Sequence, residues 1–356
     1  MDDEYYSNMS SSSSVDDEEF IREFNEFLQL MSIVPPVVYI FIIVIGIIGN
    51  VIVFYIIFKH QEMRTATNYF LANLAMTDIA LLLSCALPTT FIYRGWTIGP
   101  TVCRIINYMM LVSVQATCLT LAIMSIDRYR LVVLAIRSRN TRSKTMVIII
   151  GIITWIVSFT IHIPTAVYMT INSDGVCIPA YPSEFQKKVY IALSSCTTYF
   201  LPLASILICY LQILIQVWRK TSRGTESAQA HRRYVRRRRR VTRMVFTIVI
   251  LFAVCWAPAQ AMFLIDTFHP HVNGVSSLKE YKIKSVLRFL TFCLAYANSA
   301  MNPIVYGFAV RCFRKYFVKM FFIKVPIKKN QSCVTTMQAR NGISTKFSRY
   351  SSEDML

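Results

Sequence analysis

Seven stretches of this chain are each long and apolar enough to cross a bilayer as a helix, and no other feature restricts the fold as much. A spanning helix needs about 20 apolar residues. The stretches lie at roughly 33–58, 69–93, 104–127, 145–170, 189–218, 244–265 and 289–310. Inside hydrocarbon each segment must satisfy its own backbone N–H and C=O groups, which helices do. The predicted class is therefore all-α, a seven-transmembrane helix bundle. Composition agrees: the chain is 54% apolar and 16% charged, outside the range of soluble domains in both respects.

The net charge is +19, but the basic residues lie between apolar runs and not on one soluble face. A nucleic-acid partner is not expected. The loop after the second run carries only Arg94, whereas the loop after the third carries Arg130, Arg137, Arg139, Arg142 and Lys144. The connection between the fifth and sixth runs reads RKTSRGTESAQAHRRYVRRRRRVTR. By the bias of basic loops toward the cytoplasm, those two loops are inside. The expected location is the plasma membrane, multi-pass, with the N-terminus extracellular and the C-terminus cytoplasmic. The Arg236–Arg240 block reads as a topology anchor that also meets acidic lipid or a cytoplasmic partner.

Four regions follow. Residues 1–32 read as an extracellular, disordered acidic tail. They lack a basic segment followed by an apolar core, so they are not a signal peptide, and Asn8 lies in a glycosylation sequon. Residues 33–308 hold the seven spans. Residues 309–323 read as an amphipathic helix on the membrane surface, with Phe313, Phe317, Met320 and Phe321 on one face and Arg311, Arg314, Lys315 and Lys319 on the other. Residues 324–356 read as a disordered cytoplasmic tail. Most of the ten cysteines sit inside apolar runs, without zinc-site spacing.

A few polar residues interrupt the runs at a cost. Asp78 puts a carboxylate in mid-membrane and needs partners there, while Arg128 ends the third run within "SIDRYRLVV". Pro258 and Pro303 each remove a helical hydrogen bond and predict bends.

Taken in order, Gly49-Asn50, "LANLAMTD" ending at Asp78, Cys103, "DRY" at 127–129, Trp155, Pro202, "CWAP" at 255–258 and "NPIVY" at 302–306 resemble the class A (rhodopsin-like) G-protein-coupled receptors. The resemblance covers roughly residues 34–322. It implies that Asp127 holds Arg128 at rest within the Asp127-Arg128-Tyr129 motif. On activation Arg128 would meet a heterotrimeric G protein while Tyr210 and Tyr306 swing toward it. Many such receptors lock this arginine with an acid low in the sixth span. Here that region reads RRRRRVTRM, so a weaker resting lock and some basal activity are expected. Asp78 would face Asn50, Asn298, Ser299 and Asn302, either around a sodium ion, which suits hard oxygen ligands, or as a hydrogen-bonded structural acid. Phe252, Trp256, Pro258 and Pro303 would form hinges. Cys103 and Cys177 would be disulfide-bonded, as suits an oxidising exterior. The remaining cysteines would stay reduced, with Cys333 a weak palmitoylation candidate.

The resemblance also narrows the ligand. An amine receptor of this family has an aspartate where this chain has Met110, and an opsin has a lysine where it has Tyr296. No repeat of broken helices points to a transporter, and no catalytic constellation points to an enzyme. A peptide ligand is left. "MRTATNYFLANLAMTDIALLL", "VSVQATC", "CWAPAQ" and "YANSAMNPIVYGF" look most like the kisspeptin receptors and the neighbouring galanin and allatostatin-A receptors. That resemblance implies a peptide ending in amidated Arg-Phe or Arg-Tyr. Its aromatic end would enter among Met110, Gln115, Tyr199, Trp256, Gln260 and Tyr296. Its arginine would seek an acid among Asp174, Glu184, Asp266 and Glu280. Kisspeptin-like relatives imply Gq and phospholipase C, and galanin-like ones imply Gi. Ser344, Thr345, Ser348, Ser351 and Ser352 offer sites for a receptor kinase and then arrestin. A receptor that binds without signalling is the competing class; Asp127, Arg128, Tyr210 and Tyr306 weigh against it.

Overall fold

The computed structural model describes residues 2–91, 96–134, 143–173, 175–221, 229–269, 277–309 and 311–321. Within helices, the side chains of 2–17 and 217–241 among others are outside the description. Asp174, the side chains of Asn8 and Arg236–Arg240, Cys333 and the five tail serine and threonine residues therefore lie outside the described residues.

The chain forms a bundle of seven long helices. Helix α1 spans Asp2–Lys59, α2 Ala66–Phe91, α3 Pro100–Val132 and α4 Lys144–Ile161. A short helix α5 (Ile163–Tyr168) leads into an antiparallel hairpin of β1 (Met169–Ile171) and β2 (Cys177–Pro179), with Ile171 opposite Cys177. The fifth span is composite. Helix α6 (Glu184–Ser195) passes through a π-helical turn at Cys196–Phe200 into α7 (Leu201–Thr221). Helices α8 (Gln229–Phe268) and α9 (Leu278–Ala309) complete the bundle, and α10 (Arg311–Phe321) follows.

Six of these helical segments are long and apolar enough to cross a membrane by length and composition. The seventh, α9, is diluted by Asn298, Ser299, Asn302 and Pro303. The bundle turns its apolar surface outward: Ile148, Ile149, Ile152, Ile153 and Ile156 of α4 are all exposed. Polar groups turn inward, and Asn50, Asp78, Gln115, Ser299 and Asn302 are buried. Water would not tolerate that arrangement at this scale, whereas a bilayer requires it.

The expectation of a disordered tail over 1–32 is corrected from Glu18 onward, where the chain continues as helix into the first span. The cause is a stripe of aromatic residues at helical spacing. Phe24 and Phe27 pack on Tyr281 at the start of α9, with ring centroids 5.6 and 6.0 Å apart. Glu23 pairs with Lys282 at 2.5 Å, and that ammonium also lies over the Phe27 ring. An acidic composition does not preclude a helix once it has a partner face.

Helix α1 approaches α2 and α9 closely. A Cβ at Gly46 would meet Leu82 Cδ1 at 2.6 Å and Ala300 Cβ at 3.2 Å, and one at Gly49 would meet Pro303 at 3.0 Å. Small residues at such crossings let membrane helices pack by van der Waals contact. At the far end, His60 stacks on Tyr316 of α10 at 3.8 Å, and Tyr316 Oη donates to Glu62 at 3.2 Å. Phe313 is buried against Tyr306, so α10 is anchored to the bundle through that ring.

Overpacking predicts the cost of a larger residue at the α1 crossing. Gly46→Val should lower the stability of the detergent-solubilised protein by roughly 1–3 kcal/mol. Gly307→Ala, where a Cβ meets nothing within 4 Å, should not. Thermal unfolding monitored by a thiol-reactive dye on the buried cysteines separates the two.

Candidate functional site

At the C-terminal end of α3, Arg128 is almost fully buried. Its Nη2 lies 3.1 Å from Asp127 Oδ2 and donates to Thr67 Oγ1 on α2 at 2.8 Å. Two oxygens from two helices thus hold a guanidinium that burial would otherwise penalise. Thr67 belongs to no motif, so nothing in the sequence marks it. Tyr210 on α7 donates to the Thr242 carbonyl of α8 at 3.4 Å and packs on Phe246. Tyr306 is buried, with its ring against Phe313. The neighbouring Tyr129 is partly exposed.

Deeper in the bundle, Asn302 Nδ2 donates to Asp78 Oδ2 at 2.8 Å. Asn50 Nδ2 donates to the carbonyls of Gly46, at 2.9 Å, and Ser299, at 3.0 Å. The latter bond has a clear reason. Pro303 has no N–H to offer the carbonyl four residues before it, and the Asn50 amide takes that place. Asp78 Oδ1, Asn50 Oδ1, Asn298 Oδ1, Ser299 Oγ and Asn302 Oδ1 are buried and make no hydrogen bond among the described residues. Carboxylate, amide and hydroxyl oxygens of this kind fit a sodium ion.

Two of the residues expected to form hinges stack on one another and on Tyr199. Trp256 lies against Phe252 with centroids 6.1 Å apart, and Phe252 lies 6.2 Å from Tyr199. Tyr199 Oη donates to the Ala253 carbonyl at 2.7 Å, one turn before Pro258. Tyr199, Trp256, Gln260 and Tyr296 are buried, and Met110 is partly buried against the same core. Tyr296 packs between Tyr39 of α1 and Phe292. Gln115 is fully enclosed, with both ends of its amide engaged by the π-helical turn.

Cys103 and Cys177 are disulfide-bonded, with Cα atoms 6.0 Å apart, joining the start of α3 to β2. The hairpin is held further where Arg104 Nε donates to the Met169 carbonyl at 2.8 Å and the Trp96 N–H to Gly175 at 2.6 Å. Each described acid expected to receive a ligand arginine already has a basic partner. Glu184 pairs with Lys187 at 3.4 Å, Glu280 with Lys284 at 2.6 Å and Asp266 with Arg288 at 3.4 Å. The first two pairs lie within one helix, while Asp266–Arg288 bridges α8 to α9.

The family of seven-transmembrane receptors described as the rhodopsin family matches residues 49–306. The chain is 36% identical to a G-protein coupled receptor 54 of Oreochromis niloticus, over 80% of this chain and 78% of the relative. It is 31% identical to the KiSS-1 receptor of Homo sapiens, over 79% and 73%. It is 29% identical to an allatostatin-A receptor of Bombyx mori, over 84% and 82%.

Thr67→Val keeps the shape of the side chain and removes the hydroxyl beside Arg128. It should lower stability by about 1–3 kcal/mol, the cost of losing a partner for a buried polar group. Thr67→Ser should stay close to the parent protein. Thermal melts of both variants in the same detergent check the pair.

Proposed function

The chain belongs to the rhodopsin family of seven-transmembrane receptors, and from that premise we propose that it is a cell-surface receptor for a kisspeptin-like amidated neuropeptide. Activation passes to a heterotrimeric G protein, of the Gq class, through phospholipase C and calcium. The α6–hairpin end, where Cys103 and Cys177 are joined, faces outward; the basic loops and α10 face the cytoplasm.

The observation that carries the reading is the buried Arg128, paired with Asp127 and tied to Thr67. A protein that only captured a ligand would have no use for a guanidinium held under cover at the opposite end of α3. Similarity to the KiSS-1 receptor over most of both chains supports the ligand class. Arg128 bonds to its own helix and to α2, and because the RRRRRVTRM stretch adds no acid to that lock, some basal signalling accompanies it.

The peptide's amidated aromatic end enters among Met110, Tyr199, Trp256, Gln260 and Tyr296. Its arginine exchanges with Arg288 for Asp266, because that pair joins two helices. A ligand cation there would redistribute the tie between α8 and α9. Sodium at Asp78 favours the resting arrangement. Asn8 carries a glycan, basic α10 rests on acidic lipid, and phosphorylation of the C-terminal serines and threonines by a receptor kinase recruits arrestin. The allatostatin-A relative supports a second reading, a peptide receptor coupled to Gi.

Cells expressing the chain, challenged with amidated Arg-Phe and Arg-Tyr peptides of the kisspeptin type, should show a dose-dependent calcium rise. Arg128→Ala should abolish it at equal surface level. Asp266→Asn should raise the half-maximal concentration roughly tenfold or more, about 1.4 kcal/mol of recognition, and Glu184→Gln should not. A fall in cyclic AMP to allatostatin-A or galanin peptides, with no calcium rise, would favour the Gi reading. Silence toward all of these peptides would overturn the ligand assignment.

A further inference from the structure

The π-helical turn at Cys196–Phe200 leaves one backbone carbonyl stranded, and a side chain from another helix reaches it. In this turn the Leu201 N–H goes to the Cys196 carbonyl, five residues back. The Thr197 carbonyl therefore loses its α-helical donor. The next donor in the π register would be residue 202, which is Pro202 and has no N–H. A stranded carbonyl in the interior of a membrane protein is costly. Gln115 of α3 supplies the missing donor: its Nε2 bonds to the Thr197 carbonyl at 3.0 Å. Its Oε1 accepts from Thr198 Oγ1 at 2.7 Å and from Thr197 Oγ1 at 3.2 Å. The Thr197 hydroxyl also lies within hydrogen-bond reach of the Leu193 and Ser194 carbonyls. Both ends of the Gln115 amide are thus used on the turn, and the residue is fully buried.

The register of that turn determines where Tyr199 points. A π turn holds one more residue than the α turn it replaces, so loss of the turn rotates the neighbouring side chains about the helix axis. In the present register Tyr199 Oη reaches the Ala253 carbonyl at 2.7 Å, and its ring meets Phe252. Phe252 in turn lies against Trp256, two residues before Pro258.

We propose that Gln115 is a positioning residue that fixes the π-helical turn of the fifth span, and through Tyr199 sets the bend of α8, and that it makes no ligand contact. The mechanical part stands on the bonds above; the signalling part rests on the receptor reading. Three helices are linked in sequence: the Gln115 amide on α3, the Thr197–Tyr199 backbone of the turn, and the Ala253 carbonyl on α8. Removing either side-chain link should release the same element.

The test uses the full chain in lipid nanodiscs, with hydrogen–deuterium exchange read over α7 and α8. Gln115→Leu and Tyr199→Phe should each speed exchange in the stretch around 252–258 several-fold. The double variant should be no faster than the faster single one. Thr198→Val should move the same stretch in the same direction, and Thr198→Ser should leave it near the parent; this pair keeps the test decisive if Gln115→Leu does not fold. Additive effects, or changes confined to α3 and α7, would overturn the proposal. Because no ligand or G protein enters this measurement, its outcome is independent of the receptor reading. With an amidated Arg-Phe peptide that raises calcium in the parent, Gln115→Leu should lower the maximal response at unchanged half-maximal concentration. A shift in half-maximal concentration alone would make Gln115 a ligand contact and overturn the assignment.

Discussion

Prolines inside membrane helices create a debt of hydrogen bonds that lipid cannot settle, and the architecture of this bundle depends on how its neighbours meet it. Pro303 leaves the Ser299 carbonyl without its helical donor, and Asn50 of α1 donates to it. Pro202, together with the π-helical turn, leaves the Thr197 carbonyl without one, and Gln115 of α3 donates to it. In both cases an amide side chain from a neighbouring helix completes a backbone it does not belong to. That is why the proline-interrupted helices are compatible with a bilayer. It also means that each interruption is tied to a specific partner helix, so neither can change without that partner sensing it.

Charge follows the same logic. Arg128 is tolerated under cover because Asp127 and Thr67 both meet its guanidinium. Asp78 is tolerated because Asn302 donates to it, although several oxygens around it remain without a hydrogen bond among the described residues. The acids at the opposite end, Glu184, Asp266 and Glu280, are paired with lysine or arginine and partly or largely exposed. Exposed pairs contribute little to stability. Their weakness makes them exchangeable for another cation.

Several of these features were legible in the sequence and others were not, for a common physical reason. The seven spans follow from hydropathy over about 20 residues, and the surface helix from its two faces. The pairing of Asp78 with Asn302 and of Cys103 with Cys177 came from ordered motifs. Thr67, the cross-helix ion-pair partner Arg288 and the role of Gln115 had no such signal. Each depends on which face of one helix meets which face of another, and no single-helix period encodes that. The helical stretch after Glu18 was missed because its acidic residues outweighed Phe24 and Phe27. Those rings become meaningful only once Tyr281 stands opposite them.

The distribution of these ties divides the bundle mechanically. Helix α1 is fastened to α9 along its whole length: by Glu23 and Lys282 at one end, by the Gly46 and Gly49 crossing and the Asn50 amide in the middle, and through Glu62 and Tyr316 of the adjoining loop and α10 at the other. Close backbone approach of this kind has no second arrangement nearby, because any sliding would drive Leu82 or Pro303 into the α1 backbone. Between the fifth span and α8 the described polar ties are of another sort, two tyrosine hydroxyls reaching backbone carbonyls, Tyr199 of the π-helical turn to Ala253 and Tyr210 of α7 to Thr242. A hydroxyl at the end of a rotatable side chain can leave one acceptor for another at a net cost near 1 kcal/mol. Motion of the bundle is therefore expected at α7 and α8, with α1 serving as the fixed wall. The Gln115-braced turn stands at the boundary between the two halves, where a small change of register is converted into a change of bend.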